Sequence, residues 1–301
     1  MAATRSTSFI RPGHLRRLVV AVALACLAQT SLGAATPART DGSSAVADGL
    51  ARQVDCYQLL GLDKHRPAPV REVAVAIDLT TVFTPKLIEA FAGKLMKSMK
   101  PGDMVTVYSF SAVSNAHHLK ELGRITFDRM PTGQEAEALP VRRSADLGNC
   151  IELNRVRKTK ALDQLVRGVL AQASNDLPFS EILGAVRDIG ASLKVSDAPA
   201  RMLVLASDGL QHSALVSFYQ QKAIRVLEAE REVSALKKRG LMPSLKGVRV
   251  YVFGGGLAPP DAGFRDQVEL VALEEFWAHY VKEAGGDLVA FGKPIPLVDF
   301  K

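Results

Sequence analysis

From residue 71 onward, short apolar runs alternate with longer amphipathic segments, and this alternation restricts the fold more than any other feature of the chain. Residues 71–80 (REVAVAIDLT), 104–113 (MVTVYSFSAV), 201–206 (RMLVLA) and 247–253 (GVRVYVF) are rich in β-branched and apolar side chains. Each is too short for an independent helix and reads as a buried strand, with a last short strand at 288–291. Helices are expected between them at 84–100, 156–173, 180–194, 216–239 and 264–283. The first is bounded clearly, with Thr84 as N-cap, Pro85 in the first turn and Pro101-Gly102 as the stop. Strands joined by helices of this length form βαβ crossovers, and hence a mostly parallel sheet covered on both faces. Residues 119–127, a short turn after the second strand, should add one antiparallel edge strand through a hairpin. The expected class is α/β: a doubly wound, Rossmann-like three-layer sandwich. Residues 128–155 show no clear periodicity and read as an insertion, and 49–60 read as a short helix.

The first 34 residues read differently. They hold Arg5, Arg11, Arg16 and Arg17 and no acid, then the apolar run LVVAVALACLA at 18–28, then small residues at 31–35. A basic start, a short apolar stretch and a small-residue zone describe a secretory signal peptide. The run falls short of the roughly 20 apolar residues a membrane-spanning helix needs, and no later segment reaches that length. The expected organisation is a signal peptide at 1–34, a leader with a short helix at 35–70, and one domain at 71–301 in the periplasm or outside the cell. Two variants of this reading are weaker. Cys26 as a lipid-anchor cysteine would need a smaller residue than Leu24 two positions earlier, and the surroundings of Arg16-Arg17 fit twin-arginine export poorly.

Export changes the meaning of charge and cysteine content. The chain has 38 Lys+Arg against 31 Asp+Glu, a net +7, but without the four leader arginines the balance is 34 against 31, or +3. That is no electrostatic footprint for nucleic acid. Of three cysteines, Cys26 lies in the signal, which leaves Cys56 and Cys150. An even pair in an oxidising compartment, with no C-x-x-C and no clustered histidines, is expected to form a disulfide.

In an open α/β sheet, ligands bind beyond the carboxyl ends of the strands. Two strands here end in an acid: one gives Asp78-Leu79-Thr80-Thr81-Val82, the other Ser207-Asp208-Gly209. If these strands are neighbours, both carboxylates meet at one edge with the Thr80 hydroxyl between them, and Ser180 can add a hydroxyl from a loop. Such hard oxygen ligands suit Mg²⁺ or Mn²⁺; each residue taken singly is equally at home capping a helix or a turn. Gly254-Gly255-Gly256 lacks the spacing and the G-K-[ST] of a nucleotide loop and is expected to turn the chain sharply beside the site. His117-His118 reads as a solvated turn, and the mixed charges of 227–240 as a solvated helix face.

Together these residues resemble the von Willebrand factor A domain family, over nearly the whole chain after residue 70. That family's metal-ion-dependent adhesion site has D-x-S/T-x-S after the first strand, a Thr from a later loop, and an Asp in T/S-D-G after the fourth. Asp78 and Thr80 match the first two positions, Ser180 takes the Thr place, and Asp208 with Ser207 and Gly209 matches the last. Phe276-Trp277-x-x-Tyr280 and Ala284-Gly285-Gly286 are similar to the final helix and turn of bacterial members. Val82 departs from the pattern, standing where a second hydroxyl ligand is expected. Thr81 and Thr84 are nearby substitutes, but strand register turns Thr81 away. The resemblance implies a binding module, not an enzyme, that engages a protein partner through a weakly held divalent cation, with an acidic partner side chain completing the coordination. Two alternatives stand beside it. One is a Mg²⁺-dependent phosphatase of the haloacid dehalogenase type with Asp78 as nucleophile, although Thr80 stands where its general acid would be. The other is a metal-free structural component of an envelope, conjugative-transfer or secretion assembly.

Overall fold

The computed structural model describes residues 55–113, 116–177, 179–220, 223–258 and 265–301. The segment expected to be a signal peptide, Cys26 and the start of the helix expected at 49–60 lie outside the described residues. Eight strands are described: β1 (Arg71–Asp78), β2 (Asp103–Val113), β3 (Ala116–Thr126), β4 (Ala200–Ala206), β5 (Tyr219–Gln220), β6 (Ala223–Ile224), β7 (Val248–Phe253) and β8 (Asp287–Phe291). Six of them form one sheet in the order β3-β2-β1-β4-β7-β8, while β5 and β6 pair only with each other. Every pairing in the large sheet is parallel except β2–β3. This is the expected doubly wound α/β sheet with one antiparallel edge. β3 starts earlier than expected, so His117 and His118 belong to a strand and not to a turn.

The helices are α1 (Cys56–Leu59), α2 (Pro85–Ser98), α3 (Gln134–Glu137), α4 (Val141–Leu170), α5 (Ile182–Lys194), α6 (Ala229–Lys238) and α7 (Gln267–Glu283). The period-2 alternation of the strands sorts the core into two layers. Val73, Val75 and Ile77 face Phe91 and Leu95 of α2 and Leu162, Leu165 and Val169 of α4. Ala74 and Ala76 face the other way, toward α5 and toward Phe276, Trp277 and Tyr280 of α7. At the amino ends of the strands, a buried Arg71 forks onto Asp103, with Nε–Oδ1 3.0 Å and Nη2–Oδ2 2.6 Å, and ties β1 to β2.

Two expectations are corrected. Residues 141–155, read as part of an insertion, are the first half of the 30-residue helix α4. At 1.5 Å per residue this helix is about 45 Å long, whereas the eight residues of β1 span about 26 Å. Its first half therefore overshoots the sheet; its buried positions Leu147, Ile151 and Asn154 recur at helical spacing, but one of the three is polar, which leaves too thin an apolar stripe to read from the sequence. It is held by a small separate core of Tyr57, Leu62, Leu139, Leu147 and Ile151. The Cys56–Cys150 disulfide lies in this core, with Cα atoms 5.8 Å apart. Lys158 anchors the middle of α4 to the end of β3, with Nζ 2.7 Å from Asp128 Oδ2 and 2.8 Å from the carbonyl of Thr126.

The second correction concerns the helix expected at 216–239. Among the described residues of that span, only Ala229–Lys238 is helical. Upstream, the Ser213 hydroxyl accepts from the amides of Leu215 and Val216, and Ser217 accepts from Tyr219. Serine side chains that bond the nearby backbone offer it an alternative to the helix, and the β5–β6 hairpin forms there instead. No helix among the described residues is long and apolar enough to cross a membrane.

Candidate functional site

β1 and β4 are adjacent and parallel, with Ile77 paired to Ala206. The residues that follow, Asp78 and Ser207-Asp208-Gly209, therefore emerge side by side at the carboxyl edge of the sheet. The end of α4 returns to the same edge, where the amide of Ser174 bonds the carbonyl of Leu79 at 2.9 Å. The loop after it brings Ser180 over Asp78. Backbone bonds between Ser180 and His212, 2.9 and 3.0 Å long, hold that loop against the chain beyond Asp208.

Asp78 is fully buried and is the acceptor at the centre of the site. Its Oδ1 takes the Thr80 hydroxyl at 2.6 Å and the Thr80 amide at 2.9 Å. Its Oδ2 takes Ser207 Oγ at 2.7 Å, Ser180 Oγ at 2.9 Å and Thr81 Oγ1 at 3.3 Å. Asp208 is partly solvent-accessible. Its Oδ1 accepts the amide of Leu210 at 2.9 Å, and its own amide donates to Thr81 Oγ1 at 3.1 Å. Of the four residues expected at the site, Thr80 and Ser180 thus meet Asp78 directly, and Asp208 joins them through Thr81.

Thr81 corrects the sequence reading, which turned it away on strand register. β1 ends at Asp78, and residues 79–81 form a turn in which alternation no longer applies, so Thr80 and Thr81 both point at the carboxylate. Thr84, the other substitute, is the N-cap of α2, its Oγ1 accepting from the amide of Leu87.

The two acids are electrostatically unsettled. Burial pushes the Asp78 carboxyl up, and the hydroxyl and amide donors pull it part of the way back. Asp208 is pushed up to about 7, first by desolvation and then by the charge of Asp78, against the lowering pull of the Leu210 amide and of Arg265. Tyr219 and His212 stand at the same edge. Burial and the charge of Asp208 raise the Tyr219 phenol to about 12, and burial lowers the His212 imidazole. His212 Nδ1 lies 2.9 Å from Ser217 Oγ. Arg265, Tyr219 and His212 were not legible as site residues because each reaches the edge from a loop or hairpin that the strand pattern does not place.

The turns around the site are fixed by glycine and by one tryptophan. Gly209 has φ +75°, and the buried Trp277 of α7 donates from Nε1 to its carbonyl at 2.9 Å. Gly254 has φ +97°, and a Cβ there would fall 2.7 Å from the Phe83 ring. The Gly256 amide donates to the Asp208 carbonyl at 2.7 Å, so the glycine run does turn the chain beside the site.

No protein-family model matches the chain, and no curated protein does. Among solved structures, the chain is similar to an aerotolerance-related membrane protein from Bacteroides fragilis, solved with multiple mutations to serine. The identity is 16% over 72% of this chain and 89% of the other, with a TM-score of 0.33. It is also similar to proximal thread matrix protein 1 from the mussel byssus, at 13% identity over 70% of this chain, with a TM-score of 0.33. This match spans 42% of the byssus protein's length. Alignments at this level assign the chain to no family.

Proposed function

We propose that this chain is an exported binding module of the von Willebrand factor A type, which engages a protein partner at the edge formed by Asp78, Thr80, Ser180 and Asp208. The observation that carries the reading is the convergence of four hydroxyls on the Asp78 carboxylate, with Asp208 joined to them through its amide, from three separate segments at the carboxyl ends of adjacent parallel strands. Ligands of open α/β sheets bind at such edges. Each hydroxyl that donates to Asp78 keeps lone-pair capacity on its oxygen. With Asp208 these oxygens form a hard donor set that fits Mg²⁺ or Mn²⁺. The raised Asp208 points the same way, since a carboxyl pushed up by desolvation and by the charge of a neighbouring acid gains from a cation. Thr80, Ser180 and Asp208 would hold the ion and Asp78 would orient the hydroxyls. When bound, the ion supplies a Lewis-acidic centre for an acidic partner side chain. Val82, in place of a hydroxyl, leaves the ion with more of its water and the affinity weak.

A binding role fits this chemistry better than phosphoryl transfer. Both oxygens of Asp78 already accept hydrogen bonds, five in all, so its lone pairs are committed and it makes a poor nucleophile. Thr80, where a general acid would be needed, itself donates to Asp78. Affinity capture from envelope extracts tests the proposal, using wild type and Asp208→Ala, each with Mg²⁺ and with chelator. The expected result is a protein retained by wild type in Mg²⁺ and lost in the other three arms. Equal retention in all four refutes the site-dependent reading and leaves a metal-free structural role.

A further inference from the structure

Arg265 stands beside Asp266, the N-cap of α7. Its Nε donates to the Gly256 carbonyl at 3.0 Å and its Nη2 to the Leu257 carbonyl at 3.3 Å. The Gly256 amide in turn holds the carbonyl of Asp208 at 2.7 Å. The guanidinium is thus pinned on the same turn that positions Asp208. Among the described residues Arg265 forms no ion pair with any carboxylate, unlike Arg71, Arg129, Arg167 and Arg225. It stays partly accessible at the rim.

We propose that Arg265 is a built-in counter-charge for the Asp78/Asp208 pair, supplying from within the chain part of the positive charge a divalent cation would bring, and that it thereby sets how weakly the site holds such an ion. The inference rests on the cation-site reading above and deepens it. Arg265 is held by carbonyls and not by a bidentate pair with Asp208, so it lends its charge without occupying the carboxylate. On Asp208 only Oδ1 is engaged among the described residues, by the Leu210 amide. A guanidinium does not deprotonate in the working pH range, so the compensation is permanent. The same charge repels an incoming cation.

The test is Mn²⁺ binding to the full chain, read by electron paramagnetic resonance of the free ion, in wild type, R265Q, R265K and the double variant D208N/R265Q. Removing a unit charge beside a divalent ion in a partly screened site is expected to tighten R265Q by about tenfold, equivalent to about 1.4 kcal/mol. R265K keeps the charge and should bind as wild type does, and D208N/R265Q should lose the gain. If R265K follows R265Q, the effect comes from the two carbonyl hydrogen bonds and the counter-charge proposal falls. If wild type and R265Q bind Mn²⁺ with equal affinity, the proposal falls while the cation site stands. If neither binds Mn²⁺, both fall together.

Discussion

Asp208→Asn should make this protein more stable above neutral pH, although it removes a residue of the site. Asp208 titrates near 7 in the folded chain against an ordinary value of 3.8, mainly because burial penalises its charge. A carboxyl whose folded pKa is raised binds its proton more tightly in the native state than in the unfolded one. Stability is therefore greatest below pH 4 as far as this group is concerned, falls as pH rises through the interval from about 4 to 7, and stays at the lower level above it. At roughly 1.36 kcal/mol per pH unit, the full interval is worth about 4 kcal/mol. Asp208 is partly accessible, and water screening reduces this to about 2–4 kcal/mol. Asparagine keeps the size and can still accept from the Leu210 amide, but it carries no charge to desolvate and relieves Asp78 of a charged neighbour. For a domain of this size, 2–4 kcal/mol corresponds to roughly 10 °C in Tm. Thermal melts of both proteins in chelator, from pH 4 to 8.5, should coincide at the acid end and separate progressively, with the variant higher. Curves separated by the same amount at every pH, or a variant that melts lower at pH 8, would show that Asp208 bears no desolvation penalty.

Three further predictions follow from the fold. Val82→Ser restores a hydroxyl at the third position of the Asp78 turn and should enlarge the Mg²⁺-induced thermal shift, an enlargement that Asp208→Ala abolishes; no shift in either protein would sink the cation reading. Replacing both Cys56 and Cys150 by serine opens a loop of 94 residues and should cost about 4–5 kcal/mol in denaturant unfolding, and thiol labelling of the denatured, unreduced wild type should find neither cysteine. Gly255→Ala places a Cβ 2.3 Å from the Phe291 ring and should destabilise by about 1–3 kcal/mol, whereas Gly133→Ala, with no neighbour within 4 Å, should show only the backbone cost of its positive φ.

The sheet was legible because its strands are buried on both faces, and such strands are written as short apolar runs between helices long enough to cross over. The acids that end β1 and β4 could be placed at one edge by the same logic. The failures have local causes. Thr81 was read with a period of two, but the period ends with the strand at Asp78, and the turn beyond it obeys the hydrogen-bonding demand of the carboxylate instead. The segment before α6 carries enough apolar residues to read as helix, while Ser213 and Ser217 bond their own backbone and divert it into a hairpin. Arg265 had no visible role because its function is set by two carbonyl acceptors, Gly256 and Leu257, which every sequence offers.

The overshooting half of α4 ties this fold to its surroundings. The site lies at the carboxyl edge of the sheet, whereas Cys56–Cys150 staples a foot beyond the opposite end. In a reducing environment the foot loses its clasp, and Leu147, Ile151 and Tyr57 depend on a core of only a few residues. A helix half in that state is a target for proteases, even while the sheet and its edge remain intact. Reduction of that one bond would therefore loosen the base of α4 while leaving the edge that carries Asp78 and Asp208 in place.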